Sequence, residues 1–256
     1  MSLNEELLPV LKKLRLSGVR ETLDLRTQQA VEDSLGYAEF LYRVLSDEVE
    51  RREAKQLDVR LRRANFGHDK TLEDFDFSFN PSVPKSKVID LATCSFVREH
   101  ENVLFLGPAG VGKSHLAQAL GHRACRAGFK VMHVTAHDML KQLRAARGDA
   151  TYDRRLLRFT TPDVLLLDDL GLRPLVGEET LDLYEVIRQR YERASIILTS
   201  NRAEDEIAAL FGDALLASAA IDRLLHHAHV LVIEGDSYRN PHTNRRSRGN
   251  PKEGRK

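Results

Sequence analysis

Glycines recur at fixed intervals ahead of a lysine and a hydroxyl in Gly107-Pro108-Ala109-Gly110-Val111-Gly112-Lys113-Ser114. That is the pattern G-x-x-x-x-G-K-[ST], and its chemistry is phosphate binding. Glycines let the main chain wrap an anion closely, and the free N–H groups at the start of a following helix point at it. Lys113 has the length to reach the β- and γ-phosphates of ATP, and Ser114 offers a hydroxyl to Mg²⁺. With His115, the next residue, these positions are the expected nucleotide-binding stretch.

Two carboxylates supply the complementary chemistry. The apolar run Val164-Leu165-Leu166-Leu167 ends in Asp168-Asp169, about fifty residues after the glycine-rich loop. One acid is needed there to hold Mg²⁺ and its waters, a role that falls to Asp168 beside Ser114. The next, Asp169, is then the candidate general base for the attacking water. Taken alone, such an Asp pair is an ordinary turn or cap signal. A second buried run, Ser195 to Ser200, ends in Asn201. This amide is placed to contact the γ-phosphate or the water; the plainer reading is an Asn that ends a strand in a turn. Arg223, after the small residues Ala217 to Ala220, suits an arginine given to a neighbour's phosphate or an ordinary partnered surface arginine. Arg202 and Arg239 compete for the same role. His226, His227 and His229 do not share one helix face and have no Cys or acid cluster beside them, which argues against a metal site.

These residues need a scaffold that brings strand ends together. From Asn102 onward strands and helices alternate: strands over 103–106, 130–135, 164–168, 195–200 and 230–234, with helices over 113–127, 136–147 and 178–192. That alternation predicts a parallel five-stranded sheet flanked by helices, with its ligand at the carboxyl ends of the strands. Residues 5 to 64 read as helical, with Leu7, Leu11 and Leu14 as one packing stripe. Tyr37, Leu41, Val44, Leu45 and Val49 form another, and Ser17-Gly18 and Ser34 act as punctuation. Between the two regions, Phe75, Phe77 and Phe79 alternate before Pro81 and Pro84. They predict an extended linker pinned by aromatic anchors, then a helix over 85–98.

With 42% hydrophobic and 30% charged residues, the composition is that of a soluble globular protein. No apolar run approaches the roughly 18 residues of a membrane span, and the acidic start, Met1 to Glu6, lacks a signal-peptide pattern. Cys94 and Cys125 are too few for a disulfide framework or a zinc site, which points to buried thiols in a cytoplasmic protein. The net charge of +1 hides segregation. Arg239 to Lys256 holds seven basic residues against Glu253, and Arg51 to Arg63 holds six against Glu53 and Asp58. Each stretch can build local positive potential or be a solvated face or tail.

With these residues assembled, the chain resembles the AAA+ ATPases, and more closely the IstB-type ATP-binding helpers of insertion-sequence transposition, grouped with DnaC-type helicase loaders. The motifs that carry the resemblance are GPAGVGKSHLAQALG at 107–121, VLLLDDLG at 164–171, IILTSN at 196–201 and AAIDRLLHHAHVLVIEGDSYR at 219–239. LKKLRLSGVRETL at 11–23 and RRANFGHDKTLEDFDF at 62–77 add the helical domain and linker. Asp169 stands where most AAA+ proteins carry Glu, a departure that favours the narrower group. The resemblance implies a P-loop AAA+ sheet; the stretch after the last expected strand is too short for the helical lid of the wider group, so the lid is expected to be absent or minimal and a neighbouring subunit to help complete the site. It divides the chain into a small all-α domain (1–68), a linker and leading helix (69–101), the ATPase domain (102–238) and a basic, disordered tail (239–256). It further implies Mg²⁺-dependent ATP hydrolysis, a homo-oligomer with ATP sites at subunit interfaces, double-stranded DNA bound with low sequence specificity, and a partner transposase. A replicative helicase loader of the DnaC type is the alternative, since its ATPase core would look nearly identical. A small-molecule kinase explains neither the N-terminal helices nor Asn201 and Arg223.

Overall fold

In the computed structural model, described over residues 3–67 and 70–238, the chain divides into two compact units, Met1–Val59 and Arg60–Lys256. The boundary expected at residue 68 and the basic stretch 239–256, with Arg239, lie outside the described residues.

The first unit is helical: α1 (Leu3–Lys13), α2 (Ser17–Glu32) and most of α3 (Tyr37–Ala64). Its small core is Leu11, Val19, Leu23 and Val44, joined by Leu7, Leu16 and Phe40. The stripes are corrected here. Leu14 is exposed, and of the second stripe only Val44 is buried, while Tyr37, Leu41, Leu45 and Val49 face outward. The reason is ionic. The line of α3 that faces α2 continues from Val44 through Asp47, Glu48 and Arg51. Asp47 takes a two-pronged bond from Arg26, and Arg51 pairs with Glu21. Buried Glu48 accepts the first free N–H groups of α2, from Gly18 at 2.5 Å and Val19 at 3.3 Å.

In the second unit the expected helix over 85–98 is broken. It forms α4 (Lys85–Leu91) and α5 (Ser95–Arg98), with Cys94 at φ 61° between them. The α/β body follows as β1 (Asn102–Leu106), α6 (Lys113–Arg126), β2 (Val131–Thr135), α7 (Ala136–Gly148), α8 (Tyr152–Thr160), β3 (Val164–Leu170), α9 (Glu179–Arg190), β4 (Ser195–Ser200), α10 (Glu204–Ala209), α11 (Ala214–Leu225) and β5 (Ala228–Val232). Helices α8, α10 and α11 add to the elements read from sequence. The last strand starts two residues earlier than expected because Ala228 and His229 pair with Asn102 and Val103.

All five strands are parallel, in the order β2-β3-β4-β1-β5. Every residue of β1 and β4 is buried, as a sheet covered on both faces requires. Leu104, Leu165 and Ile196 share one core with Leu143, Leu183 and Leu224 from the helices. Cys94 and Cys125 are both buried and free. No helix among the described residues is long and apolar enough to cross a membrane.

Candidate nucleotide site

Strand β1 ends at Leu106, and the chain turns at once through the glycine-rich loop into α6. Gly107 sits at φ 141°, a conformation that side-chain-bearing residues rarely adopt, and a Cβ there would lie 2.0 Å from the Ile233 carbonyl oxygen. Gly112 caps α6 at φ 102°, and its Cβ would meet the Phe75 ring at 2.7 Å. The loop is therefore held from two sides. Phe75 of the linker packs against Gly112, and the segment after β5 donates Tyr238 N–H to Gly110 O at 3.0 Å. Phe79 and Tyr238 meet edge to face with ring centroids 4.8 Å apart. Asn80 Nδ2 donates to Glu234 O at 2.9 Å. Of the three aromatic anchors expected of the linker, Phe75 and Phe79 pack in this way, while Phe77 meets the edge of Phe75.

Lys113 is buried, and its ammonium sits among three oxygens: Gly107 O at 2.7 Å, Pro108 O at 2.6 Å and Asn201 Oδ1 at 2.7 Å. Beside it, Ser114 Oγ donates to Asp168 Oδ1 at 2.8 Å, and the Thr199 hydroxyl donates to the same oxygen. Burial pushes the Asp168 carboxyl up, but neighbouring His133, Thr199 and Ser114 outweigh it and hold the group below its ordinary value. Asp168 is therefore a carboxylate at neutral pH. A hydroxyl and a carboxylate oxygen converging in this way are the hard donors that Mg²⁺ takes, so the residues fit that ion.

Strand β3 carries a bulge that sequence periodicity does not show. Pairing with β4 shifts between Leu167 and Leu170, and Asp169 stands at φ 59°. Its N–H bonds Thr199 Oγ1 at 2.9 Å, while the residue lines the cavity beside the loop. That cavity, of about 450 Å³, is walled by Lys113, Ser114, Asp169, Asn201, Phe75 and Tyr238, among others. Ala109 to Gly112 also line it, whereas Gly107 and Pro108 meet Lys113 through their carbonyls.

Three further expected residues have partners within the chain. His115 borders the cavity, but its Nε2 lies 2.8 Å from Thr71 O and Phe75 meets its ring edge, so it ties the linker to α6. Arg202 Nε is bonded to Gly171 O at 3.0 Å. Arg223 is not brought to the loop of its own chain. It lies near the end of α11, donating to Ala219 O at 2.7 Å and stacking over Tyr184 and Tyr191. The strand that follows begins level with Asn102, whereas the loop leaves β1 at Leu106. The length of a strand, roughly 13–17 Å at about 3.3 Å per residue, separates the two levels. Of the histidine cluster, His226 pairs with the Tyr191 hydroxyl at 2.9 Å and His229 with Glu101 at 2.8 Å. Sequence reasoning missed Thr199 and His133. Thr199 could have been read from its place two residues before Asn201; nothing in the sequence distinguishes His133.

The model of the family "IstB-like ATP binding protein" matches residues 9–246. The chain belongs to this IstB-like family. It is 38% identical over 227 residues to a protein of Geobacillus stearothermophilus named as an ATP-binding protein of insertion sequence IS5376, spanning 89% of this chain and 90% of that one. A protein of Pseudomonas aeruginosa, named likewise for insertion sequence IS21, is 39% identical over 234 residues, or 91% of this chain and 88% of that one. Among solved structures, the DnaC helicase loader is similar in fold, with a TM-score of 0.55 at 21% identity over 64% of this chain and 97% of that one. DnaA from Aquifex aeolicus, solved bound to AMPPCP, has a TM-score of 0.56 at 22% identity, over 67% and 52%. Sheet order, loop position and these neighbours bear out the expected AAA+ architecture of this IstB-like chain.

Proposed function

We propose that this IstB-like protein is a cytoplasmic Mg²⁺-dependent ATPase that assembles on double-stranded DNA when ATP binds, and in that state recruits or activates a transposase. The observation that carries the reading is the convergence of Lys113, Ser114, Asp169 and Asn201 around one cavity at the strand ends, with Asp168 bonded to Ser114 beside it. The names of its relatives, insertion-sequence proteins at 33–40% identity over most of the chain, favour a transposition helper over a helicase loader.

The roles follow from the geometry. The ammonium of Lys113 binds the β- and γ-phosphates, helped by the N–H groups that open α6. Ser114 and Asp168 would hold Mg²⁺, which neutralises phosphate charge when bound. Asp169, turned toward the cavity by the bulge, orients the attacking water and accepts its proton. Asn201, already on the Lys113 ammonium, reports whether the γ-phosphate is present. Arg223 serves a neighbour's phosphate in a homo-oligomer. The domain division expected from sequence (1–68, 69–101, 102–238 and 239–256) is part of the same proposal. So are the basic stretches 51–63 and 239–256 as phosphate-neutralising segments without base readout.

The test is DNA binding with ATP, ADP or no nucleotide, followed by particle size. Larger particles on DNA with ATP alone, weakening steeply with salt, are expected; binding that ignores both salt and nucleotide would sink the proposal.

A further inference from the structure

His133 lies on β2, outside the expected site, yet it touches Asp168. Its side chain is 12% exposed, and its buried Nε2 faces Asp168 Oδ2 at 3.6 Å, beyond hydrogen-bond length. The other ring nitrogen, Nδ1, lies 3.3 Å from Asn65 O, in the turn that ends α3. Both facing atoms are acceptors. Each ring nitrogen therefore faces one acceptor, the carbonyl on one side and the carboxylate on the other. Asp168 Oδ1 is already occupied by Ser114 and Thr199, which leaves Oδ2 as the oxygen His133 can steady.

The turn on the other side is itself seated on the nucleotide-loop helix. Phe66 stacks on His122 with ring centroids 4.3 Å apart and on His133 at 6.1 Å. A Cβ on Gly121 would come within 2.9 Å of the Phe66 ring, so the absence of that atom lets the ring sit against α6. One imidazole thus bridges a carboxylate of the nucleotide site and a wedge between α6 and β2.

We propose that His133 is a positioning residue for Asp168, and that its ring, set between Asp168 Oδ2 and Asn65 O, couples cation binding to the seating of the Asn65–Phe66 turn. This rests on the reading that Asp168 and Ser114 hold Mg²⁺. Groups that orient a metal ligand change metal affinity by about 10- to 100-fold when removed.

The test uses the full chain, with ATP binding measured across a Mg²⁺ titration and amide exchange followed at residues 64–67 with and without Mg²⁺ and ATP. In the parent, exchange at 64–67 changes when Mg²⁺ joins ATP. In His133→Phe, which keeps a ring but no N–H, that change disappears and half-saturating Mg²⁺ rises about tenfold. His133→Gln, which restores an N–H, recovers most of the Mg²⁺ affinity, an outcome that packing alone would not produce. A His133→Phe chain matching the parent in both readouts overturns the proposal. So does a parent whose exchange at 64–67 ignores Mg²⁺, a result that stands even if the Phe variant fails to fold. A parent that binds no ATP with Mg²⁺ overturns the nucleotide reading as well, which separates the two failures.

Discussion

The two ends of the one sheet use polar residues in opposite ways. Where β1, β3 and β4 finish, Lys113 shares its ammonium between two loop carbonyls and Asn201, Ser114 bonds Asp168, and Lys113, Ser114 and Asn201 border a cavity. Where the strands begin, buried polar groups are consumed by main chain. Asn102 donates to Leu224 O at 2.9 Å and accepts from Ile196 N at 2.8 Å. Ser195 Oγ bonds Phe96 O at 3.0 Å. Arg190, fully buried, gathers the carbonyls of Phe159, Pro162, Asp163 and Ser195. Loops entering a sheet leave carbonyls that need donors, and these side chains supply them. A buried polar group spent on backbone away from any cavity fastens the fold; one that borders a cavity is free to exchange its bonds for a ligand.

Substitutions can break that contrast. The largest effect belongs to Lys113→Ala, which should weaken ATP binding about 1,000-fold while the melting temperature moves little. Calorimetric titration and a thermal melt on one sample would show both. Arg190→Met should do the reverse, costing about 3 kcal/mol in denaturant unfolding by stranding four carbonyls, with ATP affinity of the folded protein unchanged. Asp169→Asn should keep ATP affinity and lower turnover about 100-fold in a phosphate-release assay. The smallest change, Asn102→Ala, should cost about 1.5 kcal/mol with no kinetic signature, seen as a lower urea midpoint. Loss of nucleotide binding in either lower-end variant would erase the distinction between fasteners and site.

How much of this was legible from sequence follows the same division. The upper end could be read because its chemistry demands fixed types at fixed spacing: a glycine-rich loop, Lys113 and Ser114, then an acid pair and Asn201 at strand ends. The alternation of apolar strands and helices gave the parallel sheet for the same reason, since strands buried on both faces are nearly continuous apolar runs. What escaped was set by tertiary partners. Arg190 sits on an ordinary amphipathic helix, and nothing local says that its head turns inward. His133 acquires a partner only because β2 lies beside β3. The stripe on α3 misled because the buried face of that helix is built on Asp47 and Glu48, whose value depends on Arg26 and on the N–H groups of Gly18 and Val19. The bulge at Asp169 has no signature in apolar periodicity.

Arg223 belongs to neither class, because it sits at the lower level and is proposed to act on another subunit's nucleotide. Mixing chains decides it. Lys113→Ala and Arg223→Ala should each lack DNA-stimulated ATP turnover alone, while a mixture regains turnover, because some interfaces pair an intact loop with an intact arginine. A mixture as inactive as its parts, or an Arg223→Ala chain as active as the parent, would contradict the claim that a neighbouring subunit completes the site.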